Sequence, residues 1–194
     1  MARVEALPIQ RGDSALASIA VPTPASLKLR QSTDAVRRRA RPLDGIPPAD
    51  RTLAEAYSYW SRVRPGGLLP ARRDINIAEF CPLVGAMHLV DASSATAEDY
   101  RFRVYGSKAP TETAPDFGAQ RLGDVKSEIY RRSVIEDYRT VVLTGVPAYH
   151  QIAAKIDLDV HTYSRLILPL ADDGRRVTML IVCTNSRSFD DLAV

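Results

Sequence analysis

Three histidines, two cysteines and a scatter of arginines are the side chains in this chain of 194 residues whose types could do chemistry. His150 and His161 flank the segment from Lys155 to Asp159, and a hairpin there would bring them face to face. A metal ion between them needs a third and fourth ligand, for which Asp157 and Asp159 are nearest. The plainer reading is a pair of exposed hairpin histidines. His88 stands alone in a predicted strand. Cys81 and Cys183 are far apart and form neither a Cys-x-x-Cys knuckle nor a disulfide framework, so they read as small buried hydrophobes in a reducing compartment. No Gly-x-Ser-x-Gly elbow, His-Glu-x-x-His pair, P-loop or dinucleotide fingerprint occurs. Asp172-Asp173 and Asp190-Asp191 read as solvated turn and terminal pairs. The chain is expected not to be an enzyme.

The remaining chemistry is that of binding. Arg103 lies in an alternating strand, and on a covered face it needs a partner. Asp74 is the structural candidate and a ligand carboxylate the functional one. Tyr130 and Tyr138 stand eight residues apart on a predicted helix and share one face. Together with Val134, Phe102, Val104, Leu166, Leu168 and Leu180, they line a candidate pocket between helix and sheet. Such a pocket suits a small, largely apolar ligand with one or two polar handles; ordinary core packing is the alternative. The cluster Arg37-Arg38-Arg39-Ala40-Arg41 could touch anionic lipid or nucleic acid, or be a solvated run in a disordered segment. A cyclic-dinucleotide site built from Arg37, Arg41 and Asp91-Ala92-Ser93 is disfavoured, because Thr96 stands where a glycine would be expected.

The elements that position these residues follow from periodicity. Leu53, Ala56, Tyr57, Trp60 and Val63 recur at the helical period and predict a helix over 51 to 64, with Thr52 and Glu55 in a capping-box pattern and Pro65-Gly66-Gly67 as its stop. Asp74 caps a short helical segment through Phe80, ended by Pro82. Strands are predicted over 87 to 92 and 100 to 106. In the second of these, Tyr100, Phe102 and Val104 face one way and Arg101, Arg103 and Tyr105 the other. Prolines and glycines restrict 107 to 123 to short turns. A long helix follows, with Asp124 as N-cap, Ile129, Tyr130, Val134, Tyr138, Val141 and Val142 as its apolar positions, and Gly145 as C-cap. Strands over 147 to 155, 161 to 170 and 176 to 185 close the chain, the last two joined by the turn signal Asp172-Asp173-Gly174. Five strands with helices between and before them predict an α+β domain with an antiparallel sheet. The last strand is apolar on both faces, so both need cover. The long helix suits one face, and the first helix, through Tyr57 and Trp60, suits the other or forms a contact with a partner or a second copy.

Charge divides the chain. Residues 1 to 48 carry +4 and six of the thirteen prolines, whereas the remainder carries −1. The first 48 residues therefore read as a mobile basic tail, residues 49 to 187 as the domain and 188 to 194 as a short C-terminal tail. The domain lacks the basic excess of a nucleic-acid binder. No secretory signal and no apolar run long enough to span a membrane are present, which makes the cytoplasm the expected location.

Tyr59-Trp60, Leu69-Pro70-Ala71-Arg72-Arg73-Asp74-Ile75, Arg103 with Gly106, Gly145 with Pro147, and Arg165-Leu166-Ile167-Leu168-Pro169-Leu170 with Gly174 follow one another across residues 50 to 187. In this order they resemble an alphaproteobacterial family of single-domain PAS-like proteins. The match at the second strand is loose, since Phe102 stands where that family usually has Tyr. The resemblance implies a PAS-like sheet of five antiparallel strands with flanking helices and an N-terminal helix. It also implies a sensory or partner-binding role in bacterial signalling. The chain carries no flavin or haem signature: residues 107 to 123 contain no Cys and residues 124 to 144 no His. The cofactor, if any, is left unnamed. Expected partners are another signalling protein or a second copy, with a small-molecule ligand possible. A small cavity-containing enzyme on a similar curved sheet, or a ligand-free docking scaffold, are the competing readings.

Overall fold

The computed structural model describes residues 34–107, 121–156 and 159–186. Among the described residues, two α-helices and six strands, joined by short 3-10 turns, form the domain. In chain order they are β1 (Ala35–Arg41), α1 (Arg51–Arg62), β2 (Met87–Asp91), β3 (Arg101–Val104), α2 (Glu128–Thr144), β4 (Ala148–Ile156), β5 (Asp159–Leu170) and β6 (Met179–Ser186). The strands make one antiparallel sheet in the order β1-β4-β5-β6-β2-β3. The α+β class and the antiparallel sheet are as predicted, and the strand count rises from five to six.

The sixth strand corrects the boundary of the expected tail. Residues 35 to 41 pair with β4 in unbroken register from Ala35↔Lys155 to Arg41↔Tyr149. A strand this rich in arginine is stable at the edge because its side chains find partners on both faces of the sheet. Arg38 reaches the Ser133 carbonyl at 3.0 Å, and Arg41 Nε donates to Gln151 Oε1 at 3.0 Å. Charged side chains on an edge also discourage pairing with other chains. The earlier part of the predicted tail and residues 188 to 194 lie outside the described residues.

Strand alternation assigns the two helices to opposite faces. Successive side chains of β5 point to opposite sides. Ser164 reaches Asp50, the residue before α1, whereas Arg165 pairs with Asp137 of α2. α1 accordingly packs against β5 and β6, and α2 against β1, β4 and β5. Both faces are covered, which explains why Leu180, Ile181, Val182 and Cys183 of β6 are all fully buried.

α1 buries Leu53, Ala56 and Trp60 of its predicted stripe, with Tyr59 in place of Tyr57 and Val63, which are half-buried. Its N-cap is Asp50, not a box of Thr52 and Glu55, and Asp50 makes no capping bond because its carboxylate is engaged in the core. α2 starts three residues later than expected. Ser127 is its N-cap, its Oγ accepting from the Tyr130 amide, while Asp124 closes a preceding 3-10 turn by accepting from the Arg121 amide at 3.1 Å. Gly145 ends the helix at φ 65°, a left-handed conformation that glycine adopts without a Cβ clash. The Leu69 to Ile75 motif is an anchor for the chain: Leu69 N–H donates to the Gly174 carbonyl, and Asp74 accepts from the Ala71 amide.

Candidate functional site

The buried stripe of α2 is Val134, Asp137, Tyr138 and Val141. This is the i, i+3, i+4, i+7 pattern with a carboxylate at one of its core positions. Asp137 is clamped by two guanidiniums, Arg165 from β5 and Arg38 from β1, each at short hydrogen-bonding range. Arg38 also pairs with Glu136 at 2.7 Å. Arg165 is 2 % exposed, and its guanidinium lies 5.6 Å from the ring centre of Tyr138. Two guanidiniums on one carboxylate supply the compensation that a buried charge requires.

Aromatic and histidine side chains complete this layer. Tyr130 and Tyr163 join their hydroxyls at 2.9 Å. Burial raises the phenols of Tyr130, Tyr138 and Tyr163 above their ordinary value, so all three remain neutral. His150, opposite Arg165 in the sheet, has its Nε2 3.8 Å from Asp137. Desolvation lowers its pKa, the nearby Asp137 opposing and Arg165 and Arg38 adding to the effect. His88 is lowered to about 4, first by burial and then by Arg165. Its Nδ1 accepts the Gly106 N–H at 3.1 Å, which leaves the ring proton on Nε2. Gly106 is required for that approach, because a Cβ there would lie 2.4 Å from the Gly85 carbonyl oxygen. Tyr105 and Phe102 pack on the His88 ring at 4.3 and 6.0 Å.

Two buried polar atoms in this layer, Arg165 Nε and His150 Nδ1, have no hydrogen-bond partner among the described residues. Buried donors in native proteins are nearly always paired.

The face behind the sheet is built differently. Asp50 is fully buried and accepts from Tyr149 at 2.5 Å and Ser164 at 2.6 Å on one oxygen, and from Asn185 at 2.7 Å on the other. Three neutral donors fix the start of α1 on the sheet.

The predicted pocket residues divide between these places. Tyr130, Val134 and Tyr138 lie on α2, with Phe102 and Leu180 on the α2 face of the sheet. Leu166 and Leu168 do not line that layer: they alternate with Arg165 and point to the α1 side. Val104 is 48 % exposed at the end of an edge strand. Arg103 is also at the surface and pairs with Asp91 at 2.6 Å, neither with Asp74 nor facing the interior. Trp60, proposed as a partner surface, is 1 % exposed and donates its indole N–H to the Pro169 carbonyl at 3.0 Å. Tyr57 stacks beside it, half-buried. His150 and His161 do not face each other, because His161 pairs with Ala154, four residues along β4. Among the described residues no group of three or more His, Cys, Asp or Glu is placed to hold a metal. Asp157, the Cys81 side chain and residues 108 to 120 lie outside the described residues; Cys183 is buried, which pushes its thiol pKa up.

Asp137, Arg165, Tyr105 and Tyr163 at the heart of the layer were missed as site residues, while His150 and Arg38, singled out for a metal site and for an anionic surface, and His88 join it in another role. For Asp137 and Arg165 a signal existed: each is a charge on a position whose neighbours at the structural period are apolar.

A sheet covered on both faces, with a helix-covered polar layer on one, is the setting in which the comparison with known families was decisive. The family model for the PAS domain matches residues 49–182. The chain belongs to the PAS-domain family. The match begins just before α1 and ends within β6, so it leaves out β1, which supplies Arg38 to the interior of this PAS domain. No curated protein and no solved structure is significantly similar to the chain. PAS domains are sensory and regulatory modules, and no helix among the described residues is long and apolar enough to cross a membrane.

Proposed function

We propose that this PAS domain is a non-catalytic sensory module that takes a small ligand bearing a carboxylate or similar acceptor into the layer between α2 and the sheet. It would pass the state of that layer to a partner protein or to a second copy of the chain. The observation that carries the reading is the unpartnered Nε–H of buried Arg165 beside the unpartnered Nδ1 of His150. Leaving such a donor without an acceptor costs about 1–3 kcal/mol, more for a charged group, and a ligand oxygen would recover it. Tyr130, Tyr138 and Tyr163 offer neutral hydroxyls around the same guanidinium, and Phe102, Val134 and Leu180 the apolar walls. Because Asp137 is shared by Arg165 and Arg38, a ligand that draws Arg165 away shifts the anchor of β1 as well. That differential contact is what a ligand needs to move a conformational equilibrium.

Native mass spectrometry of the protein purified from its own host, followed by denaturing extraction, tests the reading. A retained carboxylate-bearing molecule that disappears in Arg165→Met supports it; Arg38 keeps Asp137 paired in that variant. A clean unliganded mass, with no thermal stabilisation by a panel of mono- and dicarboxylates, sinks it and leaves a protein-docking module.

A further inference from the structure

A concavity lies outside the Arg165 layer. It has a volume of ≈ 600 Å³ and sits between the C-terminal half of α2, the loop that follows β2 and the turn that precedes β6. Its apolar wall is Tyr100, Ile135, Val142 and Val177. Three guanidiniums stand on it: Arg139 from α2, and Arg175 and Arg176 from the turn.

These three arginines differ from their counterparts elsewhere. Arg38, Arg103, Arg121 and Arg165 each hold a carboxylate. Arg139, Arg175 and Arg176 have no ion pair and no side-chain hydrogen bond among the described residues. The nearest carboxylate in sequence to the turn arginines, Asp173, is occupied by backbone: its Oδ1 accepts the amides of Arg175 at 2.8 Å and Arg176 at 2.7 Å. The turn is itself clamped, since Gly174 accepts from Leu69 N–H at 2.9 Å and Ala171 N–H donates to Pro70 at 3.0 Å. Two of the unpaired cations are thus mounted on a rigid support, which reduces the ordering cost of binding.

Glu98 is the acidic residue on the lining, and the C-terminus of α2 adds a partial negative charge of about one half. Three positive charges outweigh both, and the charge of Asp173, which acts on Arg175 from the same turn, reduces but does not reverse the excess. Three guanidiniums from two elements present more N–H donors than the two oxygens of a single carboxylate can accept, whereas the oxygens of a diphosphate can engage all three, and guanidinium forks suit phosphate oxygens bidentately. The apolar wall and a volume within the usual range for small-molecule sites call for an organic body beyond the phosphates. We infer that this groove binds an organic di- or polyphosphate of nucleotide size, its phosphates on Arg139, Arg175 and Arg176 and its organic part against Tyr100, Ile135, Val142 and Val177. The inference is independent of the ligand proposed for the Arg165 layer.

Isothermal titration of the full chain with ADP, GDP, inorganic pyrophosphate and a hexaglutamate peptide tests it. A nucleoside diphosphate is expected to bind at least about tenfold more tightly than pyrophosphate, with affinity falling as salt rises. Arg175→Ala/Arg176→Ala and, separately, Arg139→Ala should each weaken it by about tenfold or more, while Arg165→Met leaves it unchanged. All three arginines are exposed, so an unaltered unfolding midpoint confirms that a loss is local. Absence of nucleotide binding at millimolar concentration overturns the inference. So does pyrophosphate binding as tightly as the nucleotides, insensitivity to the arginine substitutions, or binding of the acidic peptide with neither phosphate, which would make the groove a protein-docking surface.

Discussion

The two faces of the sheet each bury a carboxylate, and they solve the same problem in opposite ways. On the α1 side, Asp50 is surrounded by Tyr149, Ser164 and Asn185, neutral donors that fill its oxygens. On the α2 side, Asp137 is shared by two guanidiniums, with two polar atoms left over beside it. A satisfied network of neutral groups locks an element in place and has nothing further to offer a ligand. A charged network with unspent donors is costly to maintain and is poised to accept one. The contrast separates an anchor from the layer proposed to bind a ligand.

Three measurements test the contrast between the two faces, in decreasing order of expected effect. Asp137→Asn strands the buried Arg165 guanidinium and is expected to cost about 3–5 kcal/mol in denaturant unfolding. Replacing both partners, Arg165→Met with Asp137→Leu, should cost much less than the sum of the single changes, because neither charge is then left alone. Additive losses would show that the pair is not a unit.

The second measurement is of pH. His88 titrates at about 4 when folded and near 6.5 when unfolded, so the unfolded chain takes up the extra proton between those values. Its contribution is intact above about pH 6.5 and is lost as pH falls toward 4, amounting to about 3 kcal/mol for a shift of this size. The depressed His150 acts in the same direction. His88→Asn, which retains an acceptor for Gly106, should flatten this acid limb; an unchanged limb would place its origin in other groups.

The smallest effect is expected on the anchor side. Asp50→Asn leaves Tyr149 and Ser164 within 3.2 Å of each other and able to re-pair, so the cost should be about 1–2 kcal/mol. A penalty equal to that of Asp137→Asn would erase the distinction between the two faces.

Much of the architecture was legible in the chain. The period of Leu53, Ala56 and Trp60 gave α1 and its buried side, Gly145 gave the end of α2, and two-sided apolarity in β6 predicted cover on both faces. The candidate site was legible only in part. Tyr130, Val134 and Tyr138 were found because they share a helical stripe. Leu166 and Leu168 were misplaced because apolarity does not say which side of a doubly covered strand is which. Arg103 was offered a partner on the condition that its face were covered, and it is not, because exposure at an edge strand depends on what lies beside it.

Local rules of spacing, capping and turn chemistry act over a few residues, and so the amino-acid order by itself determined the helices, five of the strands and the antiparallel class. The contacts that join distant segments emerge only on folding. An arginine-rich run reads as a solvated tail until Asp137 and Ser133, nearly a hundred residues away, give Arg38 its partners. The periods of α2 and β5 place Asp137 and Arg165 among apolar positions, but only folding brings the two together and makes each the condition for burying the other. Pairing belongs to three-dimensional neighbours, and no period along the chain encodes it.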